Sequence, residues 1–272
     1  MTRKNLIKHI KDSVDRGDIL TVNSQKYIDI LNSERFQKLD SVGKWLVSLY
    51  LKGSVEYNGI YFHSEGAEIR LIYYNSPNAE VNLKDAVDII DTCAFAFCDW
   101  VKTIKAESAK LIEYKSFEGV TANKIELPSV IQIGVSAFVN SKIETLKLDS
   151  LIEVNQYAFN QSVIDELYAP NITDVHEGGF LDAEIVSLYA PNIYRIDFGG
   201  FFAAHIKNPV VLSHATVFGR HSFRYSKGLR LRLSRRILVA LYDMWYDMKV
   251  EINRFIKAIS PKLEIIIFKR DE

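Results

Sequence analysis

The chain has 272 residues, of which 48 % are hydrophobic and 25 % charged, and its 34 Lys plus Arg balance 34 Asp plus Glu. Those proportions are ordinary for a globular protein and exclude a charged disordered tail, a collagen-like fibre and a proline-rich linker. Zero net charge removes any bulk electrostatic attraction to nucleic acid or membrane, and the length allows one large domain or two modest ones.

Residues 2 to about 51 are expected to be helical. Leu6, Ile10 and Val14 recur at helical spacing, and Trp45, Leu46, Leu49 and Tyr50 make a second apolar face. The first dozen residues carry charge where an export signal needs an apolar run, so a cytoplasmic protein is expected. No stretch approaches the roughly 18 consecutive apolar residues of a membrane span. Asn58-Gly59, inside Ser54–Phe62, is a strong hairpin signal, and Ala67–Tyr74 reads as a strand able to pair with it. Ser76-Pro77-Asn78 marks the end of this first region, residues 1–80. Cys93 and Cys98 are too few for a disulfide scaffold and lack metal-ligand spacing, so buried structural thiols are expected.

From there the chain repeats itself. Phenylalanine recurs every 21 residues at 117, 138, 159, 180 and 201. Leu83, Ile104, Ile125, Leu146, Leu167 and Leu188 keep the same step, as do Ile112, Ile133, Val154, Val175 and Ile196. Leu167–Ile172 returns almost unchanged as Leu188–Ile193. After residue 208 the register slips by one, through Val210, Phe218 and Phe223, and resumes at Leu231. Parallel ladders with one spacing define a solenoid over residues 81–233, in which each repeat buries its apolar face only against its neighbours. Within a repeat the pattern reads as a short strand, a turn, a second extended segment, then small-small-Phe. Pro170-Asn171 and Pro191-Asn192 supply the turn, with asparagine expected to bond its own backbone. The small residues before Phe, Ala137, Ala158, Gly179 and Gly200, imply tight backbone packing.

The pattern Leu-x-x-Pro-x-Ile-x-x-Ile-x-x-x-Ala-Phe, best seen in Ile125–Phe138 and Leu146–Phe159, resembles the leucine-rich repeats of the BspA (Treponema pallidum) type over roughly residues 83–233. The resemblance implies an α+β leucine-rich-repeat β-solenoid with a helical and hairpin amino-terminal cap and a helical carboxy-terminal cap. It further implies a surface that binds other proteins. Without an export signal, that would suit an intracellular bacterial or phage-encoded regulator or inhibitor. The carboxy-terminal cap, residues 234–272, reads as a helix over Arg235–Ala258, stopped by Ser260-Pro261, and a closing strand Leu263–Phe268.

The sequence offers no catalytic constellation, no phosphate loop and no paired metal ligands; a non-enzymatic protein without cofactor or metal is expected. Its six histidines are scattered, and His176-Glu177 reads as an exposed loop pair. The surface carries more information. Lys105, Glu126, Lys147, Tyr168, Tyr189, Val211 and Arg232 should point outward in one row of the repeating strands, with Thr145, Glu166, Ser187 and Arg230 beside them. Tyr168 and Tyr189, one coil apart, should be adjacent, either as a partner's anchor or as a stabilising cross-strand pair.

Residues 143–184 hold nine acids against Lys147 alone, a balance of −8, and residues 220–236 hold seven bases and no acid, +7. Leu229-Arg-Leu-Arg-Leu233 places Arg230 and Arg232 on one face, with Phe223 and Tyr225 interleaved in the basic run. The expected partner-binding set is therefore Tyr168, Tyr189, Glu166, Lys147, Arg230 and Arg232, facing a protein partner. The alternative is nucleic acid held by the basic 220–236 segment, including Arg224, Arg235 and Arg236. The acidic stretch could instead mimic a nucleic-acid backbone, and the opposed blocks could drive self-association.

Overall fold

The 21-residue step becomes one coil of a parallel β-solenoid in a computed structural model, which describes residues 1–233 and 264–267. The chain enters through four helices, α1 (Arg3–Arg16), α2 (Gln25–Asn32), α3 (Glu34–Lys38) and α4 (Ser41–Leu51). A hairpin of β1 (Val55–Tyr57) and β2 (Ile60–Glu65) follows, and β3 (Glu68–Tyr74) pairs antiparallel with β2. Asn58 and Gly59 both sit at positive φ, 53° and 77°, as a tight hairpin turn requires.

Each later coil contributes one longer strand and one two-residue strand. The longer ones are β4 (Glu80–Lys84), β6 (Thr103–Ala106), β8 (Thr121–Glu126), β10 (Lys142–Lys147), β12 (Val163–Tyr168), β14 (Glu184–Tyr189), β16 (His205–Leu212) and β18 (Lys227–Leu233). The short ones are β5 (Ile89–Ile90), β7 (Leu111–Ile112), β9 (Gln132–Ile133), β11 (Glu153–Val154), β13 (Asp174–Val175), β15 (Arg195–Ile196) and β17 (Val217–Phe218). The long strands form one parallel sheet of nine, closed by β19 (Glu264–Ile267) beside β18; the short strands form a second sheet of ten that runs on through β3, β2 and β1. The hairpin thus extends the solenoid's own sheet: Arg70 and Leu71 of β3 pair in parallel with Ile89 and Ile90. The expected helix over Arg235–Ala258 lies outside the described residues.

Between the sheets the phenylalanines stack. Phe95, Phe117, Phe138, Phe159, Phe180, Phe201 and Phe223 are fully buried, with centroids 4.8–6.1 Å apart and planes within 13° of parallel. Tyr74 caps this column at 5.1 Å from Phe95. The separation matches the interstrand distance, because each ring follows its own coil. Phe223, which the sequence interleaves with the basic run, therefore belongs to the core.

The turn carrying each Phe places the residues two before and two after it at positive φ: Ser136 and Asn140, Tyr157 and Gln161, Gly178 and Asp182, His221 and Tyr225. The residue just before Phe is small for a separate reason: a Cβ on Gly200 would lie 2.6 Å from Ile196 Cγ2. Asn171 and Asn192 do not bond their own backbone as expected. Their Nδ2 groups donate to the carbonyls of Asp149 and Pro170 at 2.7 and 2.9 Å, stapling each turn to the coil before it.

Several expected positions shift. In α1, Leu6 is buried, but Ser13 takes the inward place and Val14 is 54 % exposed. In α4 the buried face is Gly43, Val47 and Leu51, whereas Trp45 and Leu49 face outward. The helix docks through its narrow side, where Gly43 lies against the Cys93 sulfur. Val81, not Leu83, pairs with Ile104, and a bulge between Asn82 and Lys84 leaves Leu83 out of the register, although it stays buried. At the far end, five steps of β16 from His205 to Val210 oppose two of β18, so Leu231 pairs with Leu212 and Val210 with Leu229. Pro209, lacking a donor, is suited to that bulge.

Candidate functional site

The outer face of the long-strand sheet is built by a burial rule that period-2 alternation describes only partly. In β10, Ile143 and Leu146 point inward while Glu144 and Thr145 both face out, so each strand offers more outward positions than strict alternation would. β12 and β14 repeat the arrangement with Ile164/Leu167 and Ile185/Leu188 inside. Strand register then assembles the outward residues into rows. Lys105, Glu126, Lys147, Tyr168 and Tyr189 form one. Lys124, Thr145, Glu166 and Ser187 form the next, and Lys142, Val163, Glu184 and His205 a third.

Tyr168 and Tyr189 stack 5.1 Å apart with planes 4° from parallel, and remain 39 % and 52 % exposed. The pair is therefore both a cross-strand stack and an open aromatic surface. Lys147, Glu166, Tyr168 and Tyr189 come together on three adjacent strands. Arg230 does not join them: it lies on β18, opposite Val211 of β16, two strand spacings or about 10 Å from β14. Arg232 pairs by its backbone with Ile266, not with Val211 in the expected row, and its side chain lies outside the described residues.

Electrostatics divides this face. On β6 to β10, lysines pair with carboxylates: Lys105 with Glu107 at 3.2 Å, and Lys124 and Lys147 with Glu126 at 3.0 and 3.8 Å. The hydrogen bond from Lys124 holds the Glu126 carboxyl below its ordinary range. Asn123 donates to Glu144 at 2.7 Å. On β12 and β14, Asp165, Glu166 and Glu184 are exposed, and no ion pair links them to any cation among the described residues. On the short-strand side, by contrast, the acids of the same stretch are occupied. Asp174 meets Arg195 at 3.6 Å, Glu177 accepts from the Tyr157 hydroxyl at 2.8 Å, and Glu153 contacts His176.

His176 is a half-buried bridge between coils, where an exposed loop residue was expected. Its Nδ1 lies 3.0 Å from Asp197 and its Nε2 3.2 Å from Glu153. Partial burial pulls the imidazole pKa down, but its hydrogen bonds to the Asp197 and Glu153 carboxylates outweigh it and leave it raised.

Other polar clusters join the helices to the first coils. Arg35 of α3 is buried and donates to the carbonyls of Tyr74, Cys93, Ala94 and Ala96, with its guanidinium 4.0 Å from the Tyr73 ring centre. Asp40 caps α4 by accepting from Gly43, and also takes Lys115 at 2.9 Å and the Tyr114 hydroxyl at 2.8 Å. Arg70 reaches Asp91 at 3.0 Å and Glu113 at 3.5 Å, both carboxyls pushed up by burial. Cys93 and Cys98 are free and buried, as expected, and burial pushes their thiols up to about 12 and 11, which leaves them protonated. These groups are consumed in holding the cap, and no grouping of metal ligands occurs among the described residues.

A parallel solenoid with an open, mixed aromatic and charged sheet face is the architecture of a repeat protein that presents a surface instead of a cleft. The sequence profile of the BspA type leucine-rich repeat region matches in six copies, over residues 70–186 and 110–230, and the chain belongs to that family. Such repeats are generally protein-interaction modules, and the fold is typically a non-enzymatic scaffold. No curated protein shows significant similarity to the chain. Among the described residues, no helix is long and apolar enough to cross a membrane.

Proposed function

We propose that this protein is a non-enzymatic interaction module that captures a protein partner through the outer face of the long-strand sheet, centred on Tyr168 and Tyr189. The observation that supports the reading is the exposed tyrosine stack itself. Two parallel rings on adjacent rigid strands present apolar area at low entropic cost, and Lys147 stands beside Tyr168 in register. The module acts by occupancy, as a regulator or inhibitor does.

The test is capture of partners on immobilised protein, wild type against Tyr168→Ala/Tyr189→Ala, with thermal melts as the folding control. Loss of the captured species with an unchanged melt supports the reading; undiminished capture sinks it.

A second reading has one observation behind it. Tyr225 is 57 % exposed beneath the Arg224 guanidinium, 4.8 Å from its ring centre, and Phe198, 51 % exposed, stands on the preceding coil's turn. Arginine beside open aromatic rings is the surface a single-stranded nucleic acid uses. Affinity for an oligonucleotide should then fall steeply with salt, and Arg224→Ala/Arg230→Ala should flatten that slope. Salt-insensitive or absent binding removes this reading.

A further inference from the structure

The acidic stretch is compensated on one side of the solenoid and left open on the other. Glu153, Asp174 and Glu177, on the short-strand side, each have a partner within the protein. Asp165, Glu166 and Glu184, on the long-strand face, form no ion pair with any cation among the described residues, although lysines on β6, β8 and β10 pair with carboxylates of that same sheet. The open carboxylates share β12 and β14 with the two exposed tyrosines and with Val163, which is 39 % exposed. The register sets none of these carboxylates directly opposite another: Glu166 faces Thr145 and Ser187, and Glu184 faces Val163 and His205, so the three stay separately open to a cationic ligand.

We infer that the occupant of this face is a cationic protein segment, arginine-bearing, whose guanidinium groups lie on the Tyr168 and Tyr189 rings and pair with Asp165, Glu166 and Glu184. This deepens the protein-binding reading and rests on it. Arginine suits the surface better than lysine because its planar group stacks on an aromatic face while its N–H fork engages a carboxylate.

The dimensions fix the length of segment. Val163 to Tyr168 spans five strand steps at about 3.3 Å each, roughly 16 Å, which an extended segment of about five residues covers. The borders confine it. Lys142 and Lys147 stand on the β10 side, opposite Val163 and Tyr168, and Lys207 on the β16 side, so a cation displaced by one strand meets like charge.

The experiment uses the full chain and a fluorescein-labelled Arg-Val-Arg-Val-Arg peptide, read by anisotropy, beside matched peptides with Lys or Glu in place of Arg. The arginine peptide should bind, the lysine peptide more weakly and the glutamate peptide undetectably. Asp165→Asn/Glu166→Gln/Glu184→Gln should weaken binding about tenfold, three partly exposed ion pairs' worth. Tyr168→Ala/Tyr189→Ala should weaken it comparably, and Tyr168→Phe/Tyr189→Phe should restore it. Glu153→Gln/Asp174→Asn, on the other sheet, should leave it unchanged and so excludes diffuse attraction to acid.

No binding, equal binding of the arginine and glutamate peptides, or equal loss from either sheet's neutralisation overturns the inference. So does concentration-dependent dimerisation abolished by the β12/β14 neutralisation without peptide binding, which would make a second copy the occupant. If the tyrosine variant loses the captured partner while the neutralised variant retains it, the cationic assignment falls and the protein-binding reading stands. If the tyrosine variant retains the partner, both fall.

Discussion

Arg35 stands out among single residues because it is a buried cation whose partners are carbonyl oxygens. It gathers Tyr74, Cys93, Ala94 and Ala96 at the turn that opens the Phe column, where Cys93 and Phe97 both hold positive φ. Arg35→Met removes all four guanidinium bonds; the Cys93 and Ala94 carbonyls keep backbone donors from Ala96 and Tyr74, whereas the Ala96 carbonyl loses its Arg35 donor, so the expected cost is about 1–3 kcal/mol, seen as a lowered urea midpoint. Arg35→Lys, lacking the planar fork, should recover less than half. A midpoint unchanged by Met would show that solvent replaces the guanidinium. His176 makes a smaller, pH-dependent contribution. Its folded pKa is raised, so its stabilisation is fully present below the unfolded value near 6.5 and is lost as pH rises through the folded one. Because Glu153 and Asp197 are largely exposed, the effect should be a few tenths of a kcal/mol. The stability gap between wild type and His176→Gln should thus be widest near pH 5.5 and close by about pH 8.5; a gap that widens with pH contradicts the bridge.

At the scale of elements, the Phe turn and α4 show opposite relations between sequence and packing. The Phe column is a set of identical sites, so Phe159→Ala should open a cavity in mid-solenoid and cost about 3–5 kcal/mol by denaturant titration. In α4 the large apolar residues are the wrong guide: Trp45→Gln is expected within about 0.5 kcal/mol of wild type, whereas Val47→Ala should cost about 2 kcal/mol. The reverse order would mean that the Trp45 face is covered. The repeat was legible because a residue recurring every 21 positions reports one environment repeatedly, and stacking multiplies the signal. A single helix docked once carries no such redundancy, and its inward side was chosen by the space Gly43 leaves beside Cys93. The same reasoning applies to the binding face. Adjacency of Tyr168 and Tyr189 followed from the period, whereas the pairing of the lysines and the openness of Asp165, Glu166 and Glu184 depend on rotamers that no spacing encodes.

For the whole molecule, the balance of 34 bases and 34 acids conceals sorting by face: neutralised lysine and glutamate pairs, then open carboxylates with tyrosines, then a basic end. A rigid parallel stack preserves such sorting, since each coil fixes its neighbour's register. The first coil has no such neighbour, and the amino-terminal region takes that role. β3 hydrogen-bonds to β5, Tyr74 stacks on Phe95, Arg70 pairs with Asp91, and the Met1 amino group donates to Asn82 on the outermost long strand. A chain begun at residue 81 would expose the β5 edge and one face of Phe95, take the Arg70 partner from Asp91, and strip the donors from the Ala94 and Ala96 carbonyls. Open strand edges recruit other chains, so this fragment is expected to aggregate and to lack a cooperative thermal transition, whereas the full chain should elute as a discrete species and melt cooperatively. Light scattering with size-exclusion chromatography and a circular-dichroism melt decide it. A monomeric, cooperatively melting fragment would show that the solenoid caps itself and that the helices and hairpin serve some end other than closing it.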